Sequence, residues 1–174
     1  AGRTGRWWAS DKWNISPDIM TFAKGIGSGF PIGGISGNNQ MFDLMSKNSL
    51  GGTYNGNAIS CAACNATIDV INKSNLLQNT IDRGSELKSK LEELPYVESV
   101  RQYGLFIGVD IIKNSNQLKP NKQLAKKIIN FMRNKGILLS TDGPNNNVIK
   151  IKPPLVFNKE NVDNVCENLD NFFK

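Results

Sequence analysis

Residues 17–37, Pro-Asp-Ile-Met-Thr-Phe-Ala-Lys-Gly-Ile-Gly-Ser-Gly-Phe-Pro-Ile-Gly-Gly-Ile-Ser-Gly, constrain this chain more than any other stretch. A short apolar run (Ile19, Met20, Phe22, Ala23) leads to Lys24, and the chain then breaks at Gly25, Gly27 and Gly29. The pattern predicts a short strand closed by a lysine, then a glycine turn and a second strand over Gly34 to Gly37. A lysine in that position is ordinarily a solvated strand end. Glycines, however, let a ligand come close to the backbone, and a lysine beside them can turn inward, lose hydration and serve as a nucleophilic amine. Two nucleotide-binding readings fail here. A dinucleotide turn needs G-x-G-x-x-G, and Phe30 occupies the third glycine position; a P-loop needs its lysine after the glycines, not before them.

Composition excludes several functions. The 174 residues, 39% hydrophobic and 21% charged, suit one large or two small globular domains. No run of eighteen apolar residues exists, so no membrane span is expected, and Ala1 to Trp8 lacks the apolar core of a signal peptide. The formal charge of +6 is concentrated in Lys113, Lys119, Lys122, Lys126, Lys127, Arg133 and Lys135, a stretch with no acidic residue. Because Leu124, Ile128, Phe131 and Met132 recur there at helical spacing before Gly136, the cations read as the solvated face of a helix. Without interleaved aromatics or a zinc-finger motif, no nucleic-acid partner is expected. Cys61 and Cys64 form a C-x-x-C, but with no histidine and only Cys166 besides, cysteine and histidine cannot complete a four-ligand zinc site. The three are expected to be buried free thiols in a reducing compartment.

Along the chain, residues 39–46 read as a short helix. Leu50-Gly51-Gly52-Thr53-Tyr54-Asn55-Gly56-Asn57 is either a glycine turn capped by Asn57 or a phosphate contact through the Thr53 hydroxyl and nearby N–H groups. Asn57 to about Ile71 forms a helix of small residues. A second, from about Leu76 to Leu94, repeats Leu77, Ile81, Leu87, Leu91 and Leu94 until Pro95 stops it. The remainder predicts strands over Val97 to Tyr103, Leu105 to Ile112, Ile137 to Ser140 and Val148 to Lys152, with the basic helix between. A last helix, capped by Asn158, runs to Phe173.

These segments resemble, in order, those of class III aminotransferases, pyridoxal-phosphate enzymes of fold type I. The matching parts are Arg3-Thr4-Gly5, Asp18 with Ala23-Lys24-Gly25 and Gly29-Phe30-Pro31, Gly51-Gly52-Thr53-Tyr54, Arg101 with Gly104-Leu105 and Gly108, and Ile149 to Leu155. The resemblance implies an α/β fold: part of a large domain, a mixed sheet with helices, in residues 1–75, a connecting helix over 76–95, and a small α+β domain over 96–174. It implies that Lys24 binds pyridoxal 5'-phosphate as a Schiff base and shuttles the proton, and that Gly52 and Thr53 hold the phosphate of the partner subunit's cofactor. A homodimer with shared sites follows, acting on a small-molecule amino donor and an oxo-acid acceptor. The family motif starts before Ala1, so its aspartate for the pyridine nitrogen would lie upstream. Residues 1–174 alone are accordingly expected to be inactive.

The substrate stays open at this level. The front half resembles 4-aminobutyrate-type enzymes, whereas Leu139 to Pro154 resembles the phospho-lyases that act on phosphorylated amines. Many family members carry arginine where Lys150 stands. Lysine cannot reproduce that bidentate grip on a carboxylate, so Lys150 is either a substrate contact or an exposed strand residue. A non-enzyme reading, a basic scaffold or an inactive truncated relative, would show no cofactor retention. The compartment, cytoplasm or mitochondrial matrix, is not fixed by the sequence.

Overall fold

The computed structural model describes residues 1–46, 49, 51–114 and 116–174. It divides into two compact units, one of Ala1–Gly2 with Arg6–Leu76, the other of Arg3–Gly5 with Leu77–Lys174.

In the first unit, β1 (Ile19–Ala23) pairs antiparallel with β2 (Gly33–Gly37), with Ala23 opposite Gly33. The predicted strand–lysine–turn–strand arrangement is present, and a 3₁₀ turn over Lys24–Gly27 joins the two strands. The short helix α1 covers Asn39–Asp43 and ends earlier than the sequence suggested; its Asn38 cap accepts from Met41 N at 2.9 Å. Helix α2 (Ala58–Lys73) starts where expected, because Asn57 Oδ1 accepts from Ser60 N at 3.0 Å and satisfies a first-turn donor. It packs on the Lys24–Gly27 turn. Ile26, Ile71 and Leu76 are the buried hydrophobic side chains of this unit among the described residues.

The second unit holds a real core. Helix α3 (Leu76–Glu92) is followed by β3 (Val97–Tyr103), β4 (Phe106–Asn114), β5 (Gln117–Pro120), α4 (Lys122–Asn134), β6 (Ser140–Asp142), β7 (Val148–Ile151) and α5 (Lys159–Phe173). The sheet runs β3-β4-β7-β6, with β5 pairing β4 along another stretch, and every pairing is antiparallel. Alternation along the strands gives the sheet two unlike faces. Val100, Val109, Ile111, Ile149 and Ile151 point into a core closed by Leu87 and Leu91 of α3, Ile128 and Met132 of α4, and Val162 and Leu169 of α5. The opposite face carries Arg101, Tyr103, Phe106, Gly108, Asp142 and Lys150. β5 had not been expected from the sequence.

Two expectations need correction. The strand foreseen from Ile137 begins only at Ser140. Helix α4 ends in a left-handed Gly136 (φ +78°), and Ile137 N donates to Met132 O at 2.9 Å. That cap consumes the N–H a sheet ladder would have used. The cysteines are free but not uniformly buried: Cys61 is exposed and Cys64 and Cys166 are half-buried. Helical periodicity did not reveal that Cys61 lies on the open side of α2.

Candidate functional site

Lys24 sits at the end of β1 with a left-handed backbone (φ +59°), a conformation uncommon for a side chain other than glycine, asparagine or aspartate. What holds it there is the turn that follows. Ser28 N donates to Gly25 O at 3.1 Å and Phe30 N to Gly27 O at 3.0 Å, while buried Ile26 anchors the turn. Gly27 is required for closeness, since a Cβ there would lie 2.5 Å from Ile32 Cγ2. The Lys24 side chain is exposed and makes no ion pair or side-chain hydrogen bond among the described residues.

The glycine-rich segment with Gly52 and Thr53 is also in the first unit; Leu50, named with it in the sequence, lies outside the described residues. A Cβ on Gly52 would stand 3.0 Å from Asn55 Oδ1, and Asn55 N donates to Gly52 O at 3.0 Å, so the segment forms a tight turn. Thr53 is exposed, and its hydroxyl has no partner among the described residues. A cleft of about 760 Å³ in this unit is lined by Phe22, Ile35, Phe42, Tyr54, Asn57 and Ser60. Phe22 precedes Lys24 by two residues and Tyr54 follows Thr53, yet neither Lys24 nor Thr53 lines the cleft itself.

In the second unit, three of the segments that carried the resemblance meet. Arg3 Nη1 donates to Pro153 O at 2.5 Å, and Leu105 N donates to Arg3 O at 2.9 Å. Burial of Arg3 pushes its guanidinium below the usual arginine range. Asn79, unremarked in the sequence, ties α3 to the same tail by donating to Leu155 O (2.8 Å) and Phe157 O (3.0 Å).

The polar face of this sheet encloses a cavity of about 260 Å³, lined among others by Arg101, Tyr103, Phe106, Gly108, Asp142 and Lys150. Arg101, Gly108, Lys150 and Ser140 stand opposite one another across four strands. Gly108 leaves a gap between the two cations, and Arg101 Nη2 lies 3.6 Å from where its Cβ would be. Each cation has its own carboxylate. Arg101 binds Asp110 through both terminal guanidinium nitrogens, Nη1 and Nη2, and Ser99 Oγ donates to the same carboxylate at 2.9 Å. Lys150 Nζ donates to Asp142 Oδ2 at 2.6 Å with its side chain 27% exposed. Lys150, together with the N–H of Gly143, holds the Asp142 carboxyl below its usual range. Lys150 is thus a partly enclosed cavity residue with a partner, not a bare strand residue. Asp142 was not singled out from the sequence. Its signal was the eight-residue separation across a Gly-Pro turn, which makes residues 142 and 150 diagonal neighbours on one face.

The model of the family "Aminotransferase class-III" matches residues 1–173. The chain is 38% identical to the 4-aminobutyrate aminotransferase of Escherichia coli (strain K12), over 89% of this chain and 37% of that protein. It is 36% identical to the ethanolamine-phosphate phospho-lyase homolog 1 of Caenorhabditis elegans, over 97% of this chain and 38% of that protein. Among solved structures, an Arthrobacter phospholyase in complex with phosphoethanolamine matches with a TM-score of 0.92 and 34% identity, covering 98% of this chain and 42% of the other. A transaminase from the marine bacterium Virgibacillus matches at 0.90 and 30%, with the same coverage. The chain spans little more than a third of the length of the curated relatives it matches.

Proposed function

Since the chain belongs to the class III aminotransferase family, we propose that it is the lysine-bearing part of a pyridoxal-phosphate-dependent transaminase that moves an amino group from an amino acid or ω-amino acid to a 2-oxo acid. The observation that carries this reading is Lys24: an uncommitted amine in a left-handed backbone position, pinned by a glycine turn. Backbone outliers of this kind gather at functional sites because the surrounding structure must hold them.

The residues present fit the cofactor. Its aldehyde takes an amine with no competing partner, which Lys24 offers. Its phosphate takes hydroxyl and backbone donors, which Thr53 and the Gly52 turn offer. Pyridoxal phosphate, when bound, supplies an aromatic ring that accepts the electron pair left on the substrate carbon. Lys24 Nζ would hold the cofactor through its aldehyde carbon. Lys24 Nζ would also take the proton from the donor carbon and deliver it again, as general base and then acid. The absence of histidine from these 174 residues supports Lys24 for that proton transfer.

The same reading assigns residues 1–75 to the family's large domain, 76–95 to its connecting helix and 96–174 to its small domain. It assigns the enzyme a homodimer in which Gly52 and Thr53 serve the partner's cofactor, and Lys150 the anionic end of the substrate. No described helix is long and apolar enough to cross a membrane. Three unpaired thiols suit a reducing compartment, cytoplasm or mitochondrial matrix. Borohydride reduction of the full-length holoenzyme, followed by peptide mapping, should place the pyridoxyl group on Lys24; an adduct on another lysine would refute the assignment.

A second reading, elimination of phosphate from a phosphorylated amine, is favoured by the match to the Arthrobacter phospholyase. Phosphate released from phosphoethanolamine without any oxo acid would select it, whereas transamination requires the acceptor.

A further inference from the structure

The polar face of the second unit's sheet holds two cations and two carboxylates in diagonal cross-strand pairs, Arg101 with Asp110 and Lys150 with Asp142. We propose that Asp142 acts as a charge brake on this cavity, setting how strongly Lys150 attracts the anionic end of a substrate and discriminating among such groups by their charge. The inference rests on the proposed role of Lys150 and adds a specificity-determining residue to it.

Of the charged side chains that line the cavity, Arg101 and Lys150 are cations and Asp142 is the single carboxylate, so Asp142 offsets one of the two positive charges on the wall. The two pairs differ in what they leave available. Asp110 is 13% exposed in its side chain and is held by Arg101 at both oxygens and by Ser99, so that pair is locked. Asp142 is 58% exposed and stands at the last residue of β6 beside Gly143, which adopts φ +79°. It is held by Lys150 and by the Gly143 N–H at 2.9 Å. Lysine has three donors, so Lys150 can keep Asp142 while offering the gap above Gly108 another N–H. An incoming anion therefore meets Lys150 and the Asp142 charge together.

Repulsion by Asp142 is proportional to the charge on the ligand. For unit charges roughly 6 Å apart, at an effective dielectric between protein surface and water, it weakens a singly charged carboxylate by about fivefold. The energy doubles for a doubly charged phosphoryl group, so the factor is squared, to about 25-fold. The brake keeps anions from saturating the site and lets anionic products leave. It also narrows the advantage that phosphate would otherwise hold over carboxylate.

The test uses the full-length holoenzyme with two ligands that lack an amine and cannot react, propionate and ethyl phosphate. Dissociation constants are measured by calorimetry at low salt for the unaltered enzyme and for Asp142→Asn, Asp142→Glu and Lys150→Ala. Asp142→Asn should tighten propionate about fivefold and ethyl phosphate about 25-fold, and Asp142→Glu should restore the original ratio of the two. Weaker or unchanged binding in Asp142→Asn, or an equal gain for both ligands, overturns the charge brake. Lys150→Ala separates the two levels. If it weakens both ligands while Asp142→Asn fails to tighten them, the brake falls and the substrate role of Lys150 stands. If Lys150→Ala leaves both ligands unaffected, the role of Lys150 and the brake fall together.

Discussion

Replacing Gly84 by alanine sets helix propensity against tertiary contact, and the structure decides the sign. Gly84 is the ninth residue of α3, where alanine would stabilise an isolated helix by about 1 kcal/mol. In the folded unit a Cβ at residue 84 would stand 2.1 Å from Gly104 O and 2.6 Å from Gly104 C. The obstacle is backbone, and it cannot drift away easily. Gly104 has φ +56°, its own missing Cβ position is 2.5 Å from Arg3 O, and the next residue's N–H is bonded to that same oxygen. Overpacking against a fixed neighbour costs up to about 3 kcal/mol. Subtracting the propensity gain leaves a net loss of about 2 kcal/mol, or roughly 8–16 °C in the midpoint of a unit of this size class. Differential scanning calorimetry of the full-length protein measures it, with the exposed helix substitution Ser89→Ala as control for propensity alone. A raised or unchanged midpoint for Gly84→Ala would show that α3 and the β3–β4 turn do not press together as described.

Other perturbations address the first unit and the thiols. Thr53→Ala should weaken retention of pyridoxal phosphate by about ten- to a hundredfold, the loss of one charge-assisted hydrogen bond; equilibrium dialysis of the full-length enzyme reads this, and unchanged retention would remove Thr53 from the phosphate site. Burial pushes the Cys166 thiol up to about 11, so only about one in a thousand is ionised at pH 8 and its alkylation should keep rising tenfold per pH unit through pH 9–10. A plateau near pH 9, followed by mass spectrometry of the Cys166 peptide, would contradict that burial.

Local features of this protein were readable because their causes are local. Lys24 closing a strand before a glycine turn, the Asn57 and Asn158 caps, and the helices with Leu87–Leu91 and Val162–Leu169 each depend on residues within one or two turns of one another. The strand over Val97–Tyr103 was delimited by Pro95 and Gly104 for the same reason. Family membership was likewise legible, since five short segments in fixed order survive in the sequence whatever their spatial arrangement. Tertiary structure decided the rest. Whether Ile137 extends a strand depends on a helix cap that takes its N–H. Whether Gly84 is a flaw in a helix or a necessity depends on Gly104, twenty residues away. Lys150 has a partner because the antiparallel register of β6 and β7 sets Asp142 diagonally across from it, on the face turned away from the core. Register and face are fixed by burial of the opposite side of the sheet, which couples every strand to helices distant in sequence. Charge pairing on the open face is a consequence of that burial, and so it is visible only once the chain has folded.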